Sequence, residues 1–363
     1  AFFFFPEGLP AIVTISLALG LREMVRRHVL IRHLASVETL GSATVICSDK
    51  TGTLTQNAMA VTQIWTDGRL IDITGTGYRP EGEFQIEGKK ISMSDYPGAL
   101  TTLWVGALNN DAELEYDEQG NFVRMVGDPT EGSILVAAAK AGAAPRQLNQ
   151  AYPRNGEIPF DSTRKRMVTV HKVHHPSPED VSPLNGNTGQ DWYAIAVKGA
   201  PDLVLNLCSY YQTVDDNYLP LTDAKRAEIL QANDLMTRGA LRVLGLAYRI
   251  EEQHPGEYTV ENLEKDLIFS GLTGMIDPAR PEVAPALQHA RKAGIRTIMI
   301  TGDYPNTAVA IAESITLQAP GGHALTGKQL DGMDDRALQE AVRSTNVFAR
   351  VSPEHKMRIV EAL

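Results

Sequence analysis

The sequence has few cysteines and fewer basic than acidic side chains. Its two cysteines, Cys47 and Cys208, are too few and too far apart for a disulfide framework or a cysteine zinc site, which favours a reducing compartment. Lysine and arginine number 34 against 44 aspartates and glutamates, a formal charge of −10. Because the nucleic-acid backbone is bound by a basic surface, this balance argues against nucleic acid as a partner. A length of 363 residues allows roughly two or three domains with sizeable cores.

An uninterrupted apolar run of membrane-spanning length is also missing from the first residues. Residues 1–5 and 11–19 are apolar, but residues 6–10, Pro-Glu-Gly-Leu-Pro, separate them. Residues 1–21 together approach the ~20 residues that cross a bilayer, yet two prolines and a carboxylate would disrupt a simple helix. A broken membrane helix whose free carbonyls bind a cation would accommodate them. A buried core helix with a proline kink is the alternative.

The strongest chemical signal lies in residues 48–55, Ser-Asp-Lys-Thr-Gly-Thr-Leu-Thr. They follow residues 44–47, Thr-Val-Ile-Cys, a short run that predicts a buried strand. In an open α/β sheet, functional side chains collect at the carboxyl ends of parallel strands. Asp49 would supply a nucleophile that is already ionised at neutral pH, and the amides of a turn at Gly52 would bind phosphate oxygens. The pattern therefore predicts a phosphoryl acceptor.

Residues 49–55 resemble the phosphorylation loop of the P-type ATPases, ion pumps of the haloacid-dehalogenase superfamily. The resemblance implies that Asp49 takes the γ-phosphoryl group of ATP, that Lys50 and Thr51 belong to the catalytic loop, and that Asp49 and Thr51 bind Mg2+. Thr51 stands where the phosphatases of this superfamily carry a second aspartate as general acid and base. Without that carboxylate, the acyl phosphate is expected to persist.

Residues 6–10 resemble the fourth transmembrane helix of calcium-pumping P-type ATPases, in which the glutamate is an ion ligand. The resemblance implies that Glu7 binds the transported cation. In the family, heavy-metal pumps carry Cys-Pro-Cys at this place, and sodium/potassium pumps usually lack the second proline. Pro10 therefore favours calcium. Arg22, Arg26, Arg27 and Arg32 form a basic flank typical of the cytoplasmic side of a membrane. We expect an integral membrane protein of which this portion is mainly cytoplasmic.

Residues 58–267 are expected to form a separate α+β unit inserted after the catalytic strand. Their motifs resemble the nucleotide-binding domain of the same pumps, and the resemblance implies six ATP-binding residues: Glu131, Phe160, Lys165, Lys198, Gly199 and Arg242. Phe160 would stack on adenine, and lysines would neutralise the triphosphate. Relatives often carry an arginine two places after the phenylalanine, where this sequence has Ser162, which puts one phosphate contact in doubt.

From Leu272 onward, strand and helix patterns alternate again, as expected if the first sheet continues beyond the insertion. The predicted elements are strands at residues 272–276, 295–300 and 346–350 and helices beginning at Pro281 and Pro353. By the resemblance, four further catalytic residues follow these strands: Thr301, Gly302, Asp303 and Lys356. Asp277 and Arg280 resemble the Asp-Pro-Pro-Arg hinge and nucleotide motif of the family, with Ala279 in place of the second proline.

The sequence therefore predicts an α/β fold, a Rossmann-like haloacid-dehalogenase phosphorylation domain with an inserted nucleotide-binding domain. The expected segments are residues 1–22 (part of a transmembrane helix), 23–57 (stalk and first part of the phosphorylation domain), 58–267 (nucleotide-binding domain) and 268–363 (remainder of the phosphorylation domain). The expected function is ATP-driven transport of a cation, in first place calcium, by a pump of which this chain is a part. A pump for another cation, a soluble phosphatase of the same fold, and a nucleotide-binding module without turnover are the alternatives.

Overall fold

Two sheets account for most of the strands. The computed structural model describes residues 8–30, 40–75, 77–177, 180–184 and 192–363. Within these residues, four strands form a parallel sheet, eleven form a largely antiparallel sheet, and two form a separate hairpin. The prediction of an α/β protein is confirmed.

The bounds of the described elements are as follows. The helices are α1 (Leu9–Arg26), α2 (Pro97–Leu108), α3 (Pro129–Lys140), α4 (Pro145–Ala151), α5 (Pro201–Leu205), α6 (Asp223–Arg238), α7 (Val260–Leu263), α8 (Val283–Lys292), α9 (Pro305–Ser314), α10 (Gly327–Asp331), α11 (Asp335–Ser344) and α12 (Pro353–Ala362). The strands are β1 (Val45–Asp49), β2 (Ala60–Thr66), β3 (Arg69–Ile73), β4 (Phe84–Ile86), β5 (Lys89–Ile91), β6 (Glu113–Tyr116), β7 (Phe122–Val126), β8 (Arg154–Asp161), β9 (Arg166–Lys172), β10 (Tyr193–Gly199), β11 (Cys208–Gln212), β12 (Tyr218–Pro220), β13 (Arg242–Glu251), β14 (Leu267–Ile276), β15 (Arg296–Ile300), β16 (Leu325–Thr326) and β17 (Val347–Ala349).

The parallel sheet is small and is covered by helices on both faces. Its strand order is β1-β15-β17-β16. Successive side chains of a strand point to opposite faces, and the core follows this alternation. Met299 packs with side chains of α8 and α9, whereas Ile298 and Phe348 pack with side chains of α11 and α12. This two-sided burial explains why all of β17 and the last three residues of β15 are apolar.

The large sheet has the order β5-β4-β3-β2-β14-β13-β10-β9-β8, with β11 beside β14 and β12 beside β11. Helices α2 and α3 pack in the core on one face, where Trp104 meets Tyr152 edge to face with ring centroids 5.4 Å apart. Gly106 allows α2 to approach α3 closely, because a Cβ at this position would lie 2.5 Å from Cγ2 of Ile134. Helix α6 packs in a second core cluster, which contains Phe269.

The chain passes between the two sheets twice, and the two passages lie side by side. Ala60 and Ile276 are cross-strand partners at the end of the β2–β14 pairing. Beyond that pair, Gln56 donates its N–H to the Pro278 carbonyl at 3.0 Å, and Arg280 donates its N–H to the Leu54 carbonyl at 2.9 Å. The inserted part of the chain therefore begins and ends at hydrogen-bonded neighbours.

Three of the predicted elements are wrong in extent or in place. The strand expected at residues 272–276 begins at Leu267 and belongs to the antiparallel sheet, between β2 and β13, and not to the parallel sheet. The region from Gly75 to Gly88 was expected to be loop, but it contains β4 and borders on β5. Helix α8 begins at Val283 and not at Pro281, which lies in a turn before it. The boundary proposed between residues 267 and 268 thus falls within β14.

Helix α1 extends well beyond the apolar residues that predicted it. It begins directly after Gly8 and continues through Arg22 to Arg26, and it has no buried residue. No helix in the described residues is both long and apolar enough to cross a membrane. Glu7, the predicted ligand of the transported cation, lies outside the described residues.

Candidate functional site

Asp49 is the last residue of β1, and half of its side chain (50%) is exposed. Its Oδ1 accepts the N–H of Lys50 at 2.8 Å. The chain then turns sharply at Gly52, whose φ of +73° lies in the left-handed region that glycine adopts without strain. The expectation that residues 44–47 form a buried strand is wrong: none of them is buried, because β1 is an edge strand of the parallel sheet and, in the described residues, pairs only with β15. The carboxylate is consequently presented at the end of an edge strand, beside a turn and open to solvent.

Lys356 makes the second contact with this carboxylate. Its Nζ donates to Oδ2 of Asp49 at 2.8 Å, although the two residues are 307 positions apart. Lys356 lies in the first turn of α12, where the Ser352 hydroxyl accepts the His355 N–H and Nδ1 of His355 accepts the Ser352 N–H. This reciprocal capping fixes the start of the helix. The lysine is therefore held over the end of β1 from a separate element.

Lys50 is buried, and it connects the ends of three strands. Lys50 itself follows β1, and its two partners follow β14 and β15. Only 5% of its side chain is exposed, and its Nζ lies 2.6 Å from Oδ2 of Asp303 and 3.8 Å from Oδ2 of Asp277. A buried ammonium is stable only when nearby carboxylates compensate its lost hydration. The two aspartates supply that compensation, so Lys50 fixes the relative positions of the strand ends.

Asp277 and Arg280 hold the loop that follows Asp49. Asp277 accepts the Thr55 hydroxyl at 2.6 Å and the Ala58 N–H at 3.2 Å. The Arg280 guanidinium donates to the carbonyls of Thr55 and Gly52, both at 3.1 Å. Through these contacts with the backbone and with the Thr55 hydroxyl, the two residues hold the loop in its turned conformation.

The segment after β15 lies beside Lys50. Thr301 is almost fully buried, and its hydroxyl accepts the Asp303 N–H at 3.2 Å. Gly302 is exposed, and a Cβ at this position would contact nothing within 4 Å, so packing does not explain this glycine. The structure brings Asp49, Lys50, Asp303 and Lys356 together through two ion pairs, with Thr301 two positions before Asp303 in the sequence.

A cleft connects the end of the parallel sheet with the large sheet. The charged or polar residues that line it include Lys50, Thr51, Arg242, Asp277 and Asp303. Arg242 begins β13 and donates from Nη1 to the Thr130 hydroxyl at 3.0 Å. A ligand in this cleft would contact residues of both sheets, with a guanidinium at one side and the surroundings of Asp49 at the other.

Lys198 and Glu131 form a buried ion pair deeper in the large unit. Their side chains are 9% and 14% exposed. The Lys198 ammonium donates to the Glu131 carboxylate and to the Asn109 carbonyl, and the second Glu131 oxygen accepts the Asp111 N–H at 3.0 Å. Burial lowers the pKa of Lys198, and the Glu131 charge opposes this change. The structure therefore pairs these two predicted site residues with each other.

Phe160, Lys165 and Gly199 meet at one end of the large sheet. Phe160 is 63% exposed near the end of β8, and Lys165 is exposed in the turn that follows, with φ of +51°. Gly199 is required by a close approach, because a Cβ there would lie 2.5 Å from the Lys165 carbonyl oxygen. The exposed phenylalanine offers a flat apolar face of the kind on which a planar base stacks.

The oxygen atoms near Asp49 suit a magnesium ion bound together with a phosphate. Within the described residues there is no group of three His, Cys, Asp or Glu side chains that could hold a metal ion alone. Mg2+ usually retains several waters and takes one or two carboxylates in addition to phosphate oxygens of the substrate. The half-exposed carboxylate of Asp49 and the oxygens of Thr51 in the adjoining turn fit that incomplete set.

Sequence reasoning missed several residues that support the site. Asn109 is fully buried and donates to the carbonyls of Met167 and Ala196, at 3.1 and 2.7 Å. Glu264 is also buried, and it binds two arginines of the β8–β9 hairpin that follow Phe160. No local pattern marks either residue, since each acts on strands that are distant in sequence. Thr55 is different: it stands within the loop motif itself, which is the signal that could have identified it.

Comparison with known proteins adds a family match. The family described as "P-type ATPase, cytoplasmic domain N" matches residues 100–282, about half of the chain. The matched residues include Glu131, Phe160, Lys198 and Arg242.

Several curated relatives match almost the whole chain. The calcium-transporting ATPase of Bacillus subtilis (strain 168) is 41% identical over 360 residues, covering 98% of this chain and 38% of the relative. The cation-transporting ATPase pma1 of Synechocystis sp. is 41% identical over 364 residues, covering 99% and 38%. The calcium-transporting ATPase 1 of Bacillus cereus is 40% identical over 358 residues, covering 99% and 36%. The chain spans less than two fifths of the length of these relatives.

Proposed function

Because this chain belongs to the P-type ATPase family, we propose that it forms the nucleotide-binding and phosphorylation parts of an ATP-driven cation pump. The observation that carries the proposal is the pair of contacts on Asp49: the Lys50 N–H on one carboxylate oxygen and the Lys356 ammonium on the other, both at 2.8 Å. A half-exposed carboxylate held by two donors at a strand end is suited to attack a phosphoryl group.

The proposed reaction is phosphoryl transfer from ATP to Asp49. A carboxylate oxygen of Asp49 forms a bond to the γ-phosphorus as the bond to the β,γ-bridging oxygen breaks, and ADP leaves with the bonding electron pair. The Lys356 ammonium and the loop amides stabilise the negative charge on the transferred group. Thr301, Gly302 and Asp303 are proposed to contact that group from the end of β15. Lys50 keeps the strand ends in register without contacting the substrate.

Magnesium is part of the proposal. The Asp49 carboxylate and Thr51 would hold Mg2+, which neutralises phosphate charge when bound.

The proposed nucleotide site uses the residues at the end of the large sheet. Adenine stacks on Phe160, with Lys165 at the turn and Gly199 leaving room between the strands. Arg242 and Arg280 lie toward the phosphates. Lys198 and Glu131 are proposed to exchange part of their mutual contact for contacts with ATP. For this division we keep as a proposal the domain limits expected from the sequence, 58–267 for the nucleotide unit and 23–57 with 268–363 for the phosphorylation unit. Strand β14 belongs to the large sheet as far as Ile276.

Calcium is the cation we propose in the first place. The relatives from two Bacillus species are named calcium-transporting ATPases, and the Pro-Glu-Gly-Leu-Pro sequence at residues 6–10 points the same way. Glu7 would be a ligand of the ion in a membrane-embedded part of the pump, with the present chain mainly on the cytoplasmic side. The relative from Synechocystis is named only as a cation-transporting ATPase, which keeps a pump for another cation as the second candidate.

The decisive experiment is acid-quenched labelling of a full-length pump that contains this chain, with γ-labelled ATP in the presence and absence of a calcium chelator. Label that requires calcium and is absent from Asp49→Asn supports the proposal. Label that does not depend on calcium would support a pump for another cation instead. A protein that binds ATP but never acquires label would contradict phosphoryl transfer and leave a nucleotide-binding module.

A further inference from the structure

Glu264 is a buried carboxylate that binds two arginines of one hairpin: Arg164 in the β8–β9 turn and Arg166 at the start of β9. Its side chain is 1% exposed, and those of Arg164 and Arg166 are 20% and 15% exposed. One carboxylate oxygen accepts from Nη1 of Arg164, and the other accepts from Nε of Arg166 at 2.8 Å and from its Nη2. Both oxygens of the carboxylate thus accept hydrogen bonds from planar guanidiniums.

Glu264 is itself firmly anchored. It follows the short helix α7 and donates its N–H to the Val260 carbonyl at 2.9 Å. The residues around it, Leu263 and Leu267, are fully buried in the core of the large unit. The carboxylate therefore provides a fixed point to which the two arginines are attached.

The arginines belong to the hairpin that carries Phe160 and Lys165. Arg164 also donates from Nη2 to the Pro159 carbonyl at 2.8 Å, directly before Phe160. Arg166 donates from Nη1 to the Arg164 carbonyl at 3.2 Å, directly before Lys165. Phe160 and Lys165 are the residues proposed to contact the nucleotide base. Each directly follows a residue whose backbone carbonyl accepts a hydrogen bond from Arg164 or Arg166.

The hairpin requires such support because it lies at the edge of the sheet. In the described residues, β8 is the terminal strand and is paired with β9 alone. That pairing is irregular between Ile158 and Asp161, the stretch that contains Phe160. Backbone hydrogen bonds of the sheet therefore leave the position of Phe160 incompletely fixed, and the contacts of Arg164 supply the missing constraint.

We propose that Glu264 is a positioning residue of the nucleotide site: through Arg164 and Arg166 it sets the β8–β9 turn so that Phe160 and Lys165 are preorganised for the base. The inference rests on the proposed function of Phe160. Preorganisation increases affinity because the free protein does not have to lose the corresponding conformational freedom on binding.

The test is a double-mutant cycle on the 363-residue chain, with the dissociation constant of ATP measured by isothermal titration calorimetry. We expect Glu264→Gln to weaken ATP binding by about 5- to 10-fold, since it removes the charge that both guanidiniums share. If Glu264 acts through Phe160, the same substitution in a Phe160→Ala background has little further effect. A role confined to general stability would instead give the same factor in both backgrounds.

Asp67→Asn is the matched control, because it also removes the carboxylate charge of a largely buried ion pair. Asp67 pairs with Lys225 at 2.7 Å in the turn between β2 and β3, several strands away from β8. This variant is expected to change the thermal midpoint but not the dissociation constant. If it weakens ATP binding as much as Glu264→Gln does, the positioning role of Glu264 is contradicted.

A second variant covers the case in which Glu264→Gln does not fold. Arg164→Gln removes the link to the Pro159 carbonyl but leaves Glu264 paired with Arg166, and the same non-additive weakening is expected. Unchanged affinity in this variant overturns the inference. If Phe160→Ala alone leaves the affinity unchanged, the proposed base site is wrong and the inference fails with it. If only Phe160→Ala weakens binding, the base site stands and the positioning role does not.

Discussion

Two of the ion pairs that involve predicted site lysines, Lys356–Asp49 and Lys198–Glu131, differ in their exposure. In the small unit, the Lys356 and Asp49 side chains are 38% and 50% exposed, and in the large unit those of Lys198 and Glu131 are 9% and 14% exposed. An exposed pair contributes little to stability because water competes for both partners. A buried pair is different, since removing one partner leaves the other charged and without hydration. Lys356 is therefore expected to serve the reaction, whereas Lys198 is expected to serve both stability and binding.

The largest expected effect is on the exposed pair and concerns rate. Lys356→Met should slow formation of the phosphoenzyme by about 10²- to 10³-fold, because it removes a cation that acts on the developing charge. The free energy of unfolding should change by less than about 1 kcal/mol. Quench-flow labelling and urea denaturation measure the two quantities. Lys292→Met, an exposed lysine at the end of α8, is the control and should alter neither.

The buried pair should show the reverse behaviour in stability. Lys198→Met is expected to lower the free energy of unfolding by about 3 kcal/mol, because Glu131 is left buried without its counter-charge. Adding Glu131→Leu should recover most of that loss, since the double variant has no unpaired buried charge. Urea denaturation of the single and double variants gives the coupling. Additive losses would show that the two side chains do not stabilise each other.

Acid should destabilise the large unit through His171. Its Nδ1–H donates to the Tyr152 carbonyl at 2.9 Å, and burial lowers the pKa of this histidine to about 4. The unfolded chain, with a histidine pKa of about 6.5, binds the proton more tightly, so stability is lost as the pH falls from about 6.5 to 4. The full effect is about 3 kcal/mol.

His171→Gln should reduce the loss of stability between pH 7 and pH 4.5, because the glutamine does not titrate. The measurement is urea denaturation of both proteins at the two pH values, and only their difference is interpreted, since carboxylates titrate in both. An equal loss in the two proteins would contradict the role assigned to His171.

The smallest expected effect concerns Phe160. Phe160→Ala should weaken ATP binding by about 10-fold, within the range for loss of one base–aromatic stack. Because 63% of the residue is exposed, the free energy of unfolding should stay within about 0.5 kcal/mol of the parent value. Tyr218→Ala, which removes another exposed aromatic side chain (59%) in β12, is the control for calorimetry and should leave binding unchanged.

Local sequence signals predicted the elements around both sites. Asp128 followed by Pro129 is a local signal for the start of a helix, and the Asp128 carboxylate caps α3 by accepting the N–H groups of Thr130 and Glu131. Asp49 was expected at the carboxyl end of a strand, and it is the last residue of β1. These features depend on neighbouring residues, and they can be predicted because capping and strand-end chemistry are local.

Features that depend on distant partners could not be predicted in the same way. Strand β14 is apolar on both faces, and a central strand of an antiparallel sheet covered on both sides has the same pattern as a parallel strand. Its sheet was therefore assigned wrongly. The Lys198–Glu131 pair joins residues 67 positions apart, and the Glu264–Arg164 pair joins residues 100 positions apart. The catalytic and binding roles of the site residues stay predictions until the variants are measured.

The hydrogen-bonded passages at residues 54–56 and 278–280 have a consequence for protein engineering. When the two ends of an inserted domain are neighbours, the points at which the host chain leaves and re-enters also lie close together. Such sites tolerate exchange of whole domains. The span from Ala60 to Ile276 is in this sense a cassette, since its first and last residues are already cross-strand partners. In the host domain, a two-residue turn between Met59 and Asp277 would replace the cassette. The excised cassette would have adjacent termini suitable for fusion or circular permutation.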